Sequence, residues 1–311
     1  MAMRRGAWWA GVLVAGCLSL PVQADYEGAM KALQDKDYPK GLSLMQASAN
    51  ANDKDAMLGL AMMYWNGMGV ERDQQKALVW VRKSAAAGNA AGRVLFYLSV
   101  VNGPELNVVK DGQRDPALYK QLAQRSVAQR ALDIRAFEML AMAADAGDPP
   151  GKVFAAATLL DEVGPGNMKR SLDILTPLDH LPPEMEYARN AMSGIVGLGE
   201  TYTNLALFMA LRQSALKAAE AVGVKQGFVK PGVCSADDLK LTKVSVTKPL
   251  AEAAYLPVQQ KLLKDAYLLA GNWQESWVVG ACGKPVALLV DFKADGMGSA
   301  HFDINTAVTP P

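Results

Sequence analysis

The sequence predicts a mainly α protein: an α-solenoid of helical hairpins, followed by a small α+β domain with an antiparallel meander. Three observations predict it. The chain repeats itself at a spacing of 36 residues through its first third. Within each repeat, apolar residues recur every three or four positions, which is the period of one helix face. Past Gly223 the period drops to two, with Gly-containing turns between the runs, the pattern of strands and hairpins.

The first 24 residues carry the three zones of a secretory signal. Arg4 and Arg5 form the basic end, and Ala7 to Leu20 form an apolar run. Val22 and Ala24 then place small residues at −3 and −1 before Asp25. The run is 14 residues long, short of the ~20 that a spanning helix needs. Cleavage after Ala24 and export to a bacterial periplasm follow as expectations. Val14 to Cys17, "VAGC", resembles a bacterial lipobox, an alternative in which Cys17 is lipidated. The apolar run continues past Cys17, which favours the later site.

The helical hairpins come next, over 25–225. Shifted by 36, Asp37–Leu42 falls on Asp73–Leu78, Ser48–Ala56 on Ser84–Gly92, and Asn66-Gly67 on Asn102-Gly103. Shifted by 59, Ser84–Gly92 falls on Ala143–Gly151, so an insertion of about two dozen residues separates the copies. It occupies about 104–131 and reads as a loop and one extra helix after Pro116. Gly164 to Leu172 repeats the corner in shorter form, and Gly197 to Leu207 more loosely.

Each copy reads as two helices. Met57, Leu60, Ala61 and Tyr64 stripe the first, and Ala77, Trp80, Val81 and Ala85 the second. Asp73 stands where a carboxylate accepts from the free N–H groups of a first helical turn. Gly88 suits the left-handed residue that ends a helix. Asp148 before Pro149-Pro150 is another start, because proline fits the first turn. Ala77, Ala85, Ala86, Ala136, Ala143 and Ala144 allow close helix approach.

Gly67-Met68-Gly69 ahead of a helix also fits a phosphate cradle. Gly67 recurs as Gly103, however, and Gly-x-Gly returns at Gly164/Gly166 and Gly197/Gly199. No strand precedes the motif, as a dinucleotide fold demands. These glycines are therefore assigned as structural corners.

Asp55 to Asn89 resembles a Sel-like repeat, a helical-pair module related to tetratricopeptide repeats. The residues carrying the likeness are Ala56, Leu58-Gly59, Tyr64, Gly67, Gly69-Val70, Asp73, Lys76-Ala77, Trp80, Ala85-Ala86 and Gly88. The spacing after the Ala pair is one residue shorter than the family pattern. The likeness spans 37–103, continues less closely over 135–205, and ends by about 225. It implies a right-handed α-solenoid that binds proteins and has no shared catalytic residues.

Thr201 to Gly223 reads as one amphipathic helix. Glu200 and Asn204 interrupt the apolar stretch from Ala191 to Leu211, which argues against a transmembrane span. In 226–311, Leu239 to Pro249 alternates as a strand, Leu256 to Leu269 reads as a helix, and Asn272 to Ile304 reads as three antiparallel strands. Trp273, Glu275, Trp277 and Val279 share one face; Val286, Leu288, Val290 and Phe292 share another. Export leaves Cys234 and Cys282, which an oxidising compartment pairs as a disulfide.

Function is read from what the chain offers. Net charge is +1 over 311 residues, and loss of Arg4 and Arg5 takes it to −1. Neither value supports nucleic acid or an anionic membrane as partner. His180 and His301 have no catalytic or metal-ligand spacing around them, and Asp291 and Asp295 flank a turn without forming a calcium loop. No catalytic residue, cofactor or metal is expected. Trp65 lies off the buried stripe of its helix and is a candidate contact residue. Trp273 and Trp277 read as core or as a stacking platform. The preferred reading is a non-enzymatic periplasmic scaffold that binds a protein. An alternative is a binder of envelope polysaccharide or peptidoglycan through Trp273 and Trp277; a lesser one is a hydrolase with carboxylates brought together by folding.

Overall fold

The computed structural model describes residues 25–101, 109–110, 113–114, 127–230 and 234–305. The leader 1–24 with Cys17, the corner residue Gly103 and the helix expected after Pro116 lie outside the described residues. Among those described are ten α-helices. They are α1 (Tyr26–Gln34), α2 (Tyr38–Asn50), α3 (Lys54–Asn66), α4 (Gln74–Ala86), α5 (Ala90–Val101), α6 (Val127–Asp145), α7 (Pro149–Asp161), α8 (Asn167–Leu175), α9 (Pro183–Val196) and α10 (Leu205–Lys225). Strands β1 (Val109–Lys110) and β2 (Gln113–Arg114) pair within the insertion. A meander follows, of β3 (Lys240–Tyr255), β4 (Leu268–Ala281), β5 (Lys284–Ala294) and β6 (Ala300–Asn305).

The chain forms two compact units, one ending at Ala77 and the other starting at Leu78, within α4. In the first unit α1 packs on α2 and α2 on α3. Ala29, Ala49 and Ala56 are buried beside Met45, Leu60 and Met63; the small residues bring the helices close and the large ones fill the space between.

A single corner design joins helices in both units. At the end of α1, Lys36 donates its N–H to Leu33 O at 3.1 Å and Asp37 donates to Ala32 O at 2.8 Å. This double return bond needs a left-handed residue between the helices, and Lys36 has φ 62°. Asp37 then starts α2, its carboxylate accepting the Lys40 N–H at 3.3 Å. Asn52-Asp53, Gly88-Asn89 and Gly147-Asp148 repeat the arrangement. Asp53 accepts from Ala56 N–H at 3.0 Å, Asn89 from Gly92 N–H at 2.6 Å and Asp148 from Gly151 N–H at 2.8 Å. Gly88 and Gly147, with φ 93° and 88°, take this conformation without the strain a Cβ brings. The helix end expected at Gly88 and the helix start expected at Asp148 stand where the sequence put them.

In the second unit α5 packs on α6, α6 on α7, α7 on α8 and α8 on α9. The sheet order is β3-β4-β5-β6, all antiparallel, with Trp273 opposite Phe292 and Trp277 opposite Leu288. Helix α10 covers its inner face, Phe208 meeting Trp277 at 4.7 Å between ring centres. A continuous core runs from Ala156 on α7 through Phe208 and Leu211 on α10 to Trp277 and Leu288 in the sheet. No helix of the described residues is long and apolar enough to cross a membrane.

Three expectations are corrected. Leu256 to Leu269 is no α-helix: it holds one short 3-10 turn, Lys261–Leu263, before β4 begins at Leu268. Pro257 removes a donor, Asp265 adopts φ 53°, and the apolar residues serve another purpose. Val258, Leu263, Ala266 and Tyr267 bury themselves in a second core with Leu140 of α6 and Leu159 of α7. The strand expected to stop at Pro249 continues to Tyr255. Ala86 is exposed and separates no helices.

Candidate functional site

Trp65 and Met62 stand one turn apart on α3, exposed by 42% and 43%. Residues three apart are neighbours on a helix surface, so the two side chains form one apolar ridge. The opposite face of α3 is fully buried through Ala56, Leu60 and Met63. Trp65 therefore lies on open surface, away from the buried stripe.

The Gly67–Asp73 loop that follows is a helix corner. Gly67 and Gly69 both have φ 72°, and Met68 N–H returns to Met63 O at 2.9 Å. The N-terminus of α4 is already taken by an anion of the chain itself. Asp73 Oδ1 accepts the Lys76 N–H at 2.9 Å, and Asp73 Oδ2 lies 3.3 Å from Lys76 Nζ. The Lys76 backbone N–H holds the Asp73 carboxyl below its ordinary range. An incoming phosphate would face that carboxylate.

The other two candidate tryptophans are core. Trp273 is 3% exposed and Trp277 fully buried, with Glu275 fully buried between them. Glu275 Oε1 accepts from Tyr202 N–H at 2.8 Å and Trp273 Nε1–H at 3.0 Å. Oε2 accepts from Trp277 Nε1–H at 2.9 Å and Thr201 Oγ1–H at 2.9 Å. Desolvation pushes the Glu275 carboxyl upward, and its hydrogen bonds with Tyr202, Trp277, Thr201 and Trp273 oppose that rise. Each indole turns its ring into the core and its N–H onto the carboxylate. Neither of these two rings keeps a free face for a sugar. The hub pins the α9–α10 link, residues 197–204, to the sheet.

The remaining corner glycines act around this link. Gly199, φ 128°, forms a parallel bridge to Val244 of β3. A Cβ there would meet Val244 O at 2.0 Å, so only glycine fits. Gly197 ends α9 with an ordinary helical φ of −65°. Gly164 donates its N–H to Tyr202 O at 2.7 Å, and Gly166 starts α8 with φ 71°. Asn204 caps α10, accepting Leu207 N–H at 2.7 Å, and donates to Asp161 O and Gly298 O, both at 2.9 Å. Cys234 and Cys282 are joined as a disulfide with Cα atoms 5.9 Å apart. Cys282 and Gly283 form the two-residue β4–β5 turn with φ 54° and 78°.

His180 and His301 are exposed and outside any cluster with those tryptophans. Among the described residues no three His, Cys, Asp or Glu side chains are placed to share a metal ion. The role of Glu275 was missed by sequence reasoning, although the signal was present. A Trp-x-Glu-x-Trp run puts a carboxylate between two indoles on one strand face.

Helical pairs, shared corners and a buried stripe specify a repeat module. Residues 25–53, 54–89 and 132–148 match the Sel1 repeat family model. No curated protein matches the chain. The three Sel1 matches end at Asp53, Asn89 and Asp148, the three residues that cap α3, α5 and α7. The first Sel1 repeat starts at Asp25, ahead of the expected Asp37. Sel1 repeats generally mediate protein–protein interaction, and proteins that carry them are typically non-enzymatic adaptors.

Proposed function

We propose that this protein is a non-enzymatic scaffold of the bacterial periplasm. It holds another protein through its Sel1 repeats, in envelope assembly, secretion or signalling. The observation that carries this reading is the Met62–Trp65 ridge, two large apolar side chains exposed together on a repeat helix whose other face is packed. Single exposed apolar residues are ordinary, whereas a tryptophan with an adjacent methionine is the composition of an interface core. The leader, with Val22 and Ala24 at its end, supports export.

A photo-crosslinking residue at position 65, in cells that express the full chain, tests the contact. One discrete protein adduct is expected, and it should weaken when Met62→Ser is added. A folded protein that gives no adduct at 65 refutes the contact. Mass spectrometry of the purified protein tests export: a mature N-terminus at Asp25 is expected, a retained Met1 overturns export, and a lipidated Cys17 overturns cleavage after Ala24.

A further inference from the structure

A groove lies where α9, α10 and the edge of the meander meet. A cavity of about 340 Å³ opens there. Its floor is apolar: Ile195 of α9, Phe208 of α10 and Leu241 of β3. Its mouth carries two cations, Arg212 and Lys240, both exposed. Among the described residues neither lies within salt-bridge distance of a carboxylate, although Lys240 is near enough to Asp238 to help lower that carboxyl. At about 30 Å³ for each water-sized unit the cavity has room for about eleven heavy atoms, one large apolar side chain and a carboxylate.

The backbone beside the cavity favours an extended occupant. Strand β3 is the outer strand of the meander. Beyond it, among the described residues, the only pairing is the bridge from Gly199 to Val244, with Val244 N–H bonded to Leu198 O at 2.9 Å. Lys240 and Leu241 thus lie on a strand edge of the kind that accepts an added peptide strand. The wall at Gly194 is open, since a Cβ built there meets no atom within 4 Å.

We infer that this groove binds an extended peptide that places a large apolar side chain beside a carboxylate. The apolar group fills the floor over Phe208, and the carboxylate pairs with Arg212 and Lys240 at the mouth. A fatty acid shares the chemistry, but it makes no use of a strand edge. The site stands independently of the Trp65 contact.

Selection of a random twelve-residue peptide library, displayed with free C-termini, on the full chain tests this. Clones that also bind Gly194→Phe are removed. Gly194→Phe plugs the groove from an open wall, and an unchanged melting curve verifies its fold. Surviving clones are expected to carry a large apolar residue within about two positions of a carboxylate. Amidating the C-terminus of the synthetic peptides distinguishes a terminal carboxylate from an Asp or Glu side chain. Arg212→Glu and Lys240→Glu, both at exposed sites, should each weaken binding about tenfold or more, and Trp65→Ser should leave it unchanged. Clones that all bind Gly194→Phe equally, peptides that still bind after C-terminal amidation and loss of their Asp and Glu side chains, or no enrichment overturn the proposal. Saturation by decanoate where no peptide binds overturns it in favour of a lipid acid.

Discussion

Replacing Glu275 should collapse the second unit from inside. Four donors converge on its carboxylate: the Trp273 and Trp277 indole N–H groups, the Tyr202 amide and the Thr201 hydroxyl. In Glu275→Ala the Thr201 hydroxyl can still turn to Thr203 Oγ1, 2.9 Å away. The two indoles and the amide have no such escape. A buried donor left without an acceptor costs about 1–3 kcal/mol, so three cost about 3–9 kcal/mol, comparable with the 5–15 kcal/mol that hold a typical domain folded. Glu275→Ala should therefore lose its cooperative melt and shift its tryptophan emission to the red. Glu275→Gln keeps one oxygen for Tyr202 and Trp273 but turns an amide N–H₂ toward Trp277 Nε1–H. That single conflict costs about 1–3 kcal/mol, a fall in Tm of roughly 2–12 °C for a unit of this size. The pH dependence has a definite sign. A carboxyl pushed upward on folding binds its proton more tightly in the native state. Its contribution to stability is full below the unfolded value, about 4.3, and is lost as pH rises through the folded value. Glu275→Gln should remove that component from a series of melts across pH. Melting of Glu275→Ala at the wild-type temperature, with unchanged emission, would refute the reasoning.

Other outcomes follow from single features. Reducing Cys234–Cys282, which closes a span of 48 residues, should cost about 4 kcal/mol by the loop-entropy relation, read as a lower denaturation midpoint in reductant. Gly199→Ala drives a Cβ into Val244 O and should cost several kcal/mol, about the scale of a severe core lesion, seen in thermal melts. Lys36→Gly relieves a left-handed lysine, φ 62°, and should stabilise the first unit by about 0.5–1 kcal/mol in denaturant titration. Tyr267 Oη is buried with no hydrogen bond of ordinary geometry among the described residues and only a weak one with Thr158, so Tyr267→Phe should leave stability within about 1 kcal/mol of wild type, measured the same way.

The repeat was legible because its information is local. Asp53, Asp73, Gly88 and Asp148 act on backbone groups within five residues, so spacing alone locates them. The strand faces of Trp273–Val279 and Val286–Phe292 were legible for the same reason, since alternation is a property of the strand itself. Leu256–Leu269 misled because Val258, Leu263, Ala266 and Tyr267 satisfy a helix-like spacing while packing against α6 and α7, far back along the chain. Exposure was harder still. Helical spacing already set Trp65 off the buried stripe, whereas Trp277 read equally as core or platform until the fold seated it on a carboxylate. The groove at Arg212 and Lys240 joins three distant elements and left no mark in any single stretch.

The corners also govern where this chain tolerates change in length. Asn52-Asp53, Gly88-Asn89 and Gly147-Asp148 each end one helix and start the next within two residues, so an added residue breaks both caps at once. Lys36-Asp37 joins α1 to α2 by the same corner, whereas two connections obey no such rule: seven residues separate α3 from α4, and twenty-five separate α5 from α6. Epitope tags, sensor domains or natural insertions are therefore admitted at those two connections and refused at the corners.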